Sequence, residues 1–160
     1  MGCPAGFGTV RTVELMTGRL VLRRPVDADA ADVLALMRDP EAARCIPAPA
    51  VADLETARAW CARGADRSDG SHATWDHDHA TAKIGYRVGP WHRRRGTATD
   101  IVTAVTRRCF AELGLARIQL EHAAGNLGSC AVTVRAGFTL QGILRTTIPC
   151  RDAWLGDVES

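Results

Sequence analysis

Polar and apolar residues alternate through Arg19-Leu20-Val21-Leu22-Arg23, which predicts a half-buried strand. The period then changes. Ala30, Val33, Leu34 and Met37 recur at three- and four-residue steps, predicting an amphipathic helix over 28–37 with Asp27 as its N-cap and Asp39-Pro40 beyond its end. Pro47 and Pro49 mark a loop, after which Asp53 caps a second helix over 54–63. That helix carries Leu54, Ala57 and Cys61 on one face, and Gly64 closes it. Residues 64–81 have no period and read as a polar loop dense in Asp and His. Lys83–Val88 reads as a strand stopped by Gly89-Pro90. Gly96 opens a helix with Ala98, Ile101, Val102, Val105, Cys109 and Leu113 on its apolar side and Gly114 as its stop. Arg117–His122 is the next strand, with Ile118 and Leu120 to one side. A helix from Asn126 to Arg135 ends at Gly137, Phe138–Leu144 predicts another strand, and Trp154–Val158 begins a last one. The order β-α-α-loop-β-α-β-α-β-β predicts one sheet-and-helix domain.

Composition narrows the function classes. A chain of 160 residues with 46% hydrophobic content fits one core. Residues 1–16 lack a period and read as an N-terminal extension, with Met16 as the natural start and residues 17–160 as the domain. Net charge is only +2, and one tyrosine beside few other aromatics offers little stacking surface, so nucleic acid is not an expected partner. No apolar run approaches the ~18–20 residues of a membrane span, and no signal-peptide layout is present. The expected location is cytoplasmic, with no membrane partner. The six cysteines form no C-x-x-C pair, which excludes a zinc ribbon and reads as reduced, mostly buried thiols. Asp66, Asp69, His72, Asp76, His77, Asp78 and His79 lack the fixed spacing that organises metal ligands, so no metal is expected.

The chemistry concentrates in Val88-Gly89-Pro90-Trp91-His92-Arg93-Arg94-Arg95-Gly96-Thr97-Ala98. A strand ends, arginines follow, and a glycine turns the backbone into a helix. The first amides of a helix lack intrahelical partners and carry the positive end of its dipole. Gly96 adds no bulk, so a pyrophosphate fits against those amides beside Arg93, Arg94 and Arg95. A solvated basic loop fits the same residues. The segment matches neither a Walker loop nor a dinucleotide fingerprint.

Arg93-Arg94-Arg95-Gly96-Thr97-Ala98 resembles motif A of the GCN5-related N-acetyltransferases (GNAT), whose (Arg/Gln)-x-x-Gly-x-(Gly/Ala) pattern cradles the acetyl-CoA pyrophosphate. Ile84–Pro90 resembles the splayed fourth strand of that family. Asn126-Leu127-Gly128-Ser129 with Arg135-Ala136-Gly137-Phe138 resembles its motif B. Arg19–Arg23 with Asp27 and Asp29 resembles the start of the ribosomal-protein (RimJ/RimL-like) branch. The resemblance covers about residues 17–158. It implies a mixed α/β fold whose central, mostly antiparallel mixed sheet is flanked by helices on both faces. Two departures accompany it: a shortened region where strands 2 and 3 belong, and a truncated last strand. Open sheet edges follow from both, which a homodimer would cover.

The resemblance implies acetyl-CoA as cosubstrate and direct attack by a primary amine, a protein N-terminus or a small molecule, without an acyl-enzyme. Its cofactor-binding residues are then Arg93, Arg94, Arg95, Gly96, Thr97 and Ala98 for the pyrophosphate. Backbone amides around Arg87 and Val88 serve the oxyanion, and Asn126 and Ser129 line the pantetheine arm and the sulfur. Glu121, five residues before Asn126, matches the spacing of a glutamate base in a related branch. It equally fits a surface glutamate on an alternating strand. The motif-B tyrosine that protonates the thiolate in many relatives is absent, leaving Ser129 as the candidate acid or a helix cap. Tyr86 is expected to line the cleft or fill the core, and His122 to point to the opposite face from Glu121 as a helix-packing or surface histidine. The alternative reading is a shortened, non-catalytic relative that binds CoA or a partner chain.

Overall fold

The computed structural model describes residues 14–43, 51–63, 73–76, 79–149 and 155–159. Strand β1 (Leu15–Met16) pairs antiparallel with β2 (Val21–Leu22), matching Leu15 with Leu22 and Met16 with Val21. Two residues of the stretch read as an extension therefore belong to a ladder. Thr17 closes the turn: its Oγ1 accepts from the amide of Leu20 at 3.0 Å. A pair this short has no periodicity to read.

Helix α1 (Ala30–Arg38) follows a single 3-10 turn, Asp27–Asp29. Asp29, rather than Asp27, organises this start. Its carboxylate accepts from the Val26 amide at 2.8 Å and takes both guanidinium nitrogens of Arg23, at 2.7 and 2.8 Å. The helix stops at Arg38 as expected, but a further short turn, α2 (Pro40–Ala43), begins at once. Asp39 Oδ2 caps it by accepting from the Ala42 amide at 2.8 Å, and Pro40 gives up no helical hydrogen bond in the first position. Helix α3 (Leu54–Arg63) starts where the sequence places it, with Asp53 Oδ1 accepting from the Thr56 amide at 2.8 Å. Ala30, Val33 and Met37 of α1 pack on Ala57 and Cys61 of α3, with Val51 beneath.

The polar stretch 64–81 holds a strand: β3 (Ala73–Asp76) pairs antiparallel with β4 (Thr81–Ile84). His77 and Asp78 lie outside the described residues, as do Asp66, Asp69 and His72. Among the described residues no cluster of three metal-ligating side chains occurs. Strand β4 is shorter than predicted and ends at Ile84. It runs parallel to β5 (Arg117–Leu120), with Ala82 opposite Ile118 and Ile84 opposite Leu120.

Between them, α4 (Thr97–Ala111) makes the β-α-β crossover that parallel neighbours require. Its Cys109 packs with Ala82 and Leu115, and Val102 is fully buried. Full burial of an aliphatic side chain of this size contributes ~1.5–3 kcal/mol.

After Leu120 the chain changes sheets. Strand β6 (His122–Ala123) pairs with β8 (Leu155–Glu159), which also pairs with β7 (Ile143–Pro149), giving the order β6-β8-β7 beside the first sheet's β3-β4-β5. Helix α5 (Leu127–Arg135) links β6 to β7. The last strand is short, yet it sits in the middle of its sheet. Phe138–Gly142, predicted as strand, is irregular; pairing begins at Ile143. Glycines at φ 63° (Gly114) and 84° (Gly137) end α4 and α5 in the left-handed conformation expected there.

Candidate active site

Parallel pairing of β4 and β5 ends at Ile84–Leu120. Beyond it, residues 85–89 join no ladder, while the chain after β5 turns to β8. The strands part at their C-terminal ends, and the crossover puts the α4 N-terminus at that same end. Glu121 is the single residue between β5 and β6. Residues 85–89, the α4 start and Glu121 therefore share one mouth.

The loop into α4 is tightly held. Gly89 lies under Trp91, whose ring would meet an added Cβ at 2.6 Å. Arg93 reaches back: its Nε donates to the Val88 carbonyl at 3.2 Å, its Nη1 pairs with Glu41 at 2.6 Å, and its Nη2 pairs with Asp39. The Arg93 hydrogen bond holds the Asp39 carboxyl below the usual carboxylate range. Arg93, read in the sequence as a pyrophosphate ligand, ties the loop to α2 through Asp39 and Glu41. Arg94 is exposed with φ 58°, and Arg95 is exposed beside it.

Arg19, read in the sequence only as the start of a strand, clamps the other side of this loop. Its Nη2 donates to the Arg95 carbonyl at 2.7 Å and its Nε pairs with Asp100 at 2.6 Å. Gly96, at φ 76°, caps α4 with no side chain, and an added Cβ would stand 2.9 Å from Arg19 Nη2. The first helical hydrogen bond runs from the Asp100 amide to the Gly96 carbonyl at 3.0 Å. The Thr97 and Ala98 amides precede it in the first turn, where a helix has no intrahelical acceptor for them. Of the three arginines, Arg93 is engaged by Asp39 and Glu41, while Arg94 and Arg95 are exposed.

Glu121, half-buried, pairs through Oε2 with Nζ of Lys83. Asn126 caps α5: its Oδ1 accepts from the Ser129 amide at 3.0 Å. Ser129 Oγ accepts from the phenol of Tyr86 at 3.1 Å, and burial pushes that phenol above the usual tyrosine range. No spacing rule could have joined Tyr86 to Ser129, which are 43 residues apart. Arg87 lies half-buried with Nη1 against Met37 Sδ, so its guanidinium points to α1 while its amide stays outside the ladders. His122 is buried, with Nδ1 3.0 Å from the Ala123 carbonyl oxygen. A groove along the edge of β5 that pairs with no other strand among the described residues, lined by Thr106, Phe110, Ile118, Leu120 and Phe138, includes none of these candidate residues.

The chain is similar to several known acetyltransferases. YoaA of Bacillus subtilis (strain 168), described as an uncharacterized N-acetyltransferase, is 29% identical over 152 residues, covering 82% of this chain and 85% of its own. The solved structure of RimL, a ribosomal L7/L12 alpha-N-protein acetyltransferase in complex with coenzyme A, superposes with a TM-score of 0.76 at 18% identity over 92% of this chain and 95% of RimL. MccE, a microcin C7 self-immunity acetyltransferase solved with acetyl-CoA and AMP, superposes with a TM-score of 0.70 at 18% identity over 87% and 89% of the two chains. Residues 19–139 match the acetyltransferase (GNAT) domain, so this chain belongs to that family and is an acyltransferase of mixed α/β fold.

Proposed function

We propose that the protein transfers the acetyl group of acetyl-CoA to a primary amine by direct attack, with a protein N-terminus or a small-molecule amine as acceptor. The observation that carries this reading is the parting of β4 and β5 after Ile84–Leu120, which brings residues 85–89, the N-terminus of α4 and the Glu121 carboxylate to one mouth. Thr97 and Ala98 amides, opened by Gly96 and flanked by Arg94 and Arg95, hold the diphosphate. Asn126 already spends its oxygen on the α5 cap, so its amide nitrogen is the group left for the pantetheine arm. Amides of Arg87 and Val88 donate to the oxyanion. Glu121 accepts the ammonium proton once an acceptor displaces Lys83.

Ser129 protonates the departing thiolate. Its oxygen accepts from Tyr86, which directs its own proton away from that bond. A phenol kept neutral by burial then resupplies Ser129. No step requires a metal. The same reading places the enzyme in the cytoplasm, in keeping with the buried thiols of Cys61 and Cys109. A second copy against the β5 edge, which no strand covers among the described residues, belongs to it as well.

Calorimetric titration of acetyl-CoA into the wild type and an Arg95→Ala/Gly96→Asp double variant tests the donor site. Micromolar binding lost in a folded double variant supports the assignment, and thiol release across an amine panel then identifies the acceptor. A folded wild type that binds no acetyl-CoA defeats it.

A further inference from the structure

Lys83 is the sole lysine of the chain. Its ammonium is paired with Oε2 of Glu121. The register explains the pairing: Lys83 stands opposite Gln119 in the parallel ladder, and Glu121, two residues further along, keeps to the same face one step past the last pair. The lysine side chain is 45% exposed, the glutamate only 15%. A primary amine of the protein's own therefore rests on the carboxylate that an acceptor amine must reach.

We propose that Lys83 Nζ is an intramolecular acetyl acceptor, modified in the acetyl-CoA-loaded protein when no other amine is present. The proposal rests on the reading of Glu121 as base given above. Glu121 takes one proton from the Lys83 ammonium and passes it to water. The nitrogen then forms a bond to the thioester carbonyl carbon, the carbon–sulfur bond breaks, and the second proton lost by the nitrogen ends on the CoA sulfur by way of Ser129. The products are Nε-acetyl-lysine and free CoA thiol. An amide carries no charge, so the modification removes the ion pair and leaves Glu121 open to an incoming ammonium.

The test incubates the full chain with acetyl-CoA alone, then digests it with trypsin for mass spectrometry. Unmodified protein is cut after Lys83, giving Ser68–Lys83 and Ile84–Arg87. Modified protein yields the uncut peptide Ser68–Arg87 with one acetyl group. Uncut peptide is expected from the wild type, at least about tenfold more slowly from Glu121→Gln, and at background level from heat-denatured wild type. Lys83→Arg keeps a cation beside Glu121 and is expected to gain no acetyl group in this segment while remaining folded by circular dichroism. Equal rates in wild type, Glu121→Gln and denatured protein overturn the proposal as background chemistry. Calorimetry and thiol release on the same sample separate the two readings. Binding, and transfer once an amine is added, with Lys83 left unmodified after incubation with acetyl-CoA alone overturn this proposal alone, and failure to bind acetyl-CoA overturns both.

Discussion

The phenol of Tyr86 donates to Oγ of Ser129 at 3.1 Å, tying the segment beyond β4 to the first turn of α5. Tyr86→Phe keeps the ring and removes the donor. It is expected to cost about 1 kcal/mol of stability and to lower kcat with little change in KM. Steady-state kinetics beside a thermal melt check this; an unchanged kcat would leave the pair with a packing role.

Arg93 and Arg95 stand two residues apart and face different partners. Arg93→Ala leaves the Asp39 side chain, 9% exposed, without its guanidinium, and a stability loss of about 1–3 kcal/mol is expected. Arg95→Ala removes an exposed side chain while the backbone carbonyl that Arg19 holds is kept, so stability stays within about 0.5 kcal/mol. Its effect is expected in acetyl-CoA affinity. Denaturation curves and calorimetry on both variants separate the tether from the ligand.

Gly96 adopts φ 76°, a conformation that costs a residue with a Cβ roughly 1–2 kcal/mol. Gly96→Ala also brings its Cβ to 2.9 Å from Arg19 Nη2, so the Arg19–Arg95 contact must yield. A lower melting temperature together with weaker acetyl-CoA binding is the expected result, read from a melt with and without ligand.

Glu121→Gln preserves shape and hydrogen-bonding capacity but accepts no proton. Turnover is expected to fall by ~10²–10⁴, with acetyl-CoA affinity unchanged by calorimetry. Wild-type turnover in this variant would return Glu121 to the role of a surface partner for Lys83.

The Arg23 hydrogen bond and the Val26 amide lower the Asp29 carboxyl from 3.8 to about 2. A depressed folded-state value means that this stabilisation is full above the unfolded value and is lost as pH falls through the folded one. Asp29→Asn is therefore expected to be less stable than the wild type at pH 7. The gap should close as pH drops from about 4 to about 2. Urea unfolding across that range measures it.

Much of this protein was legible because its signals are local. The helices over 54–63 and 97–111 follow from apolar spacing, a capping Asp53 and a glycine at 96, all interactions within a few residues. The motif-A and motif-B segments place the chain in its family for the same reason. Strand ends were less legible: β4 stops at Ile84 although Tyr86 and Val88 continue the alternation, because its parallel partner leaves to join another sheet. The short β1, and β3 within a polar stretch, exist only through pairing.

The site divides along the same line. Gly96, Arg94, Arg95, Glu121 and Ser129 could be singled out from sequence. The tertiary fold alone decided that Arg93 turns to Asp39 and Glu41, that Arg19 clamps Arg95, that Tyr86 meets Ser129 and that Lys83 covers Glu121. Each of these contacts joins residues 38 or more positions apart. Local sequence carries no record of such a partner, because the chain path that brings it there is set by the packing of the whole domain.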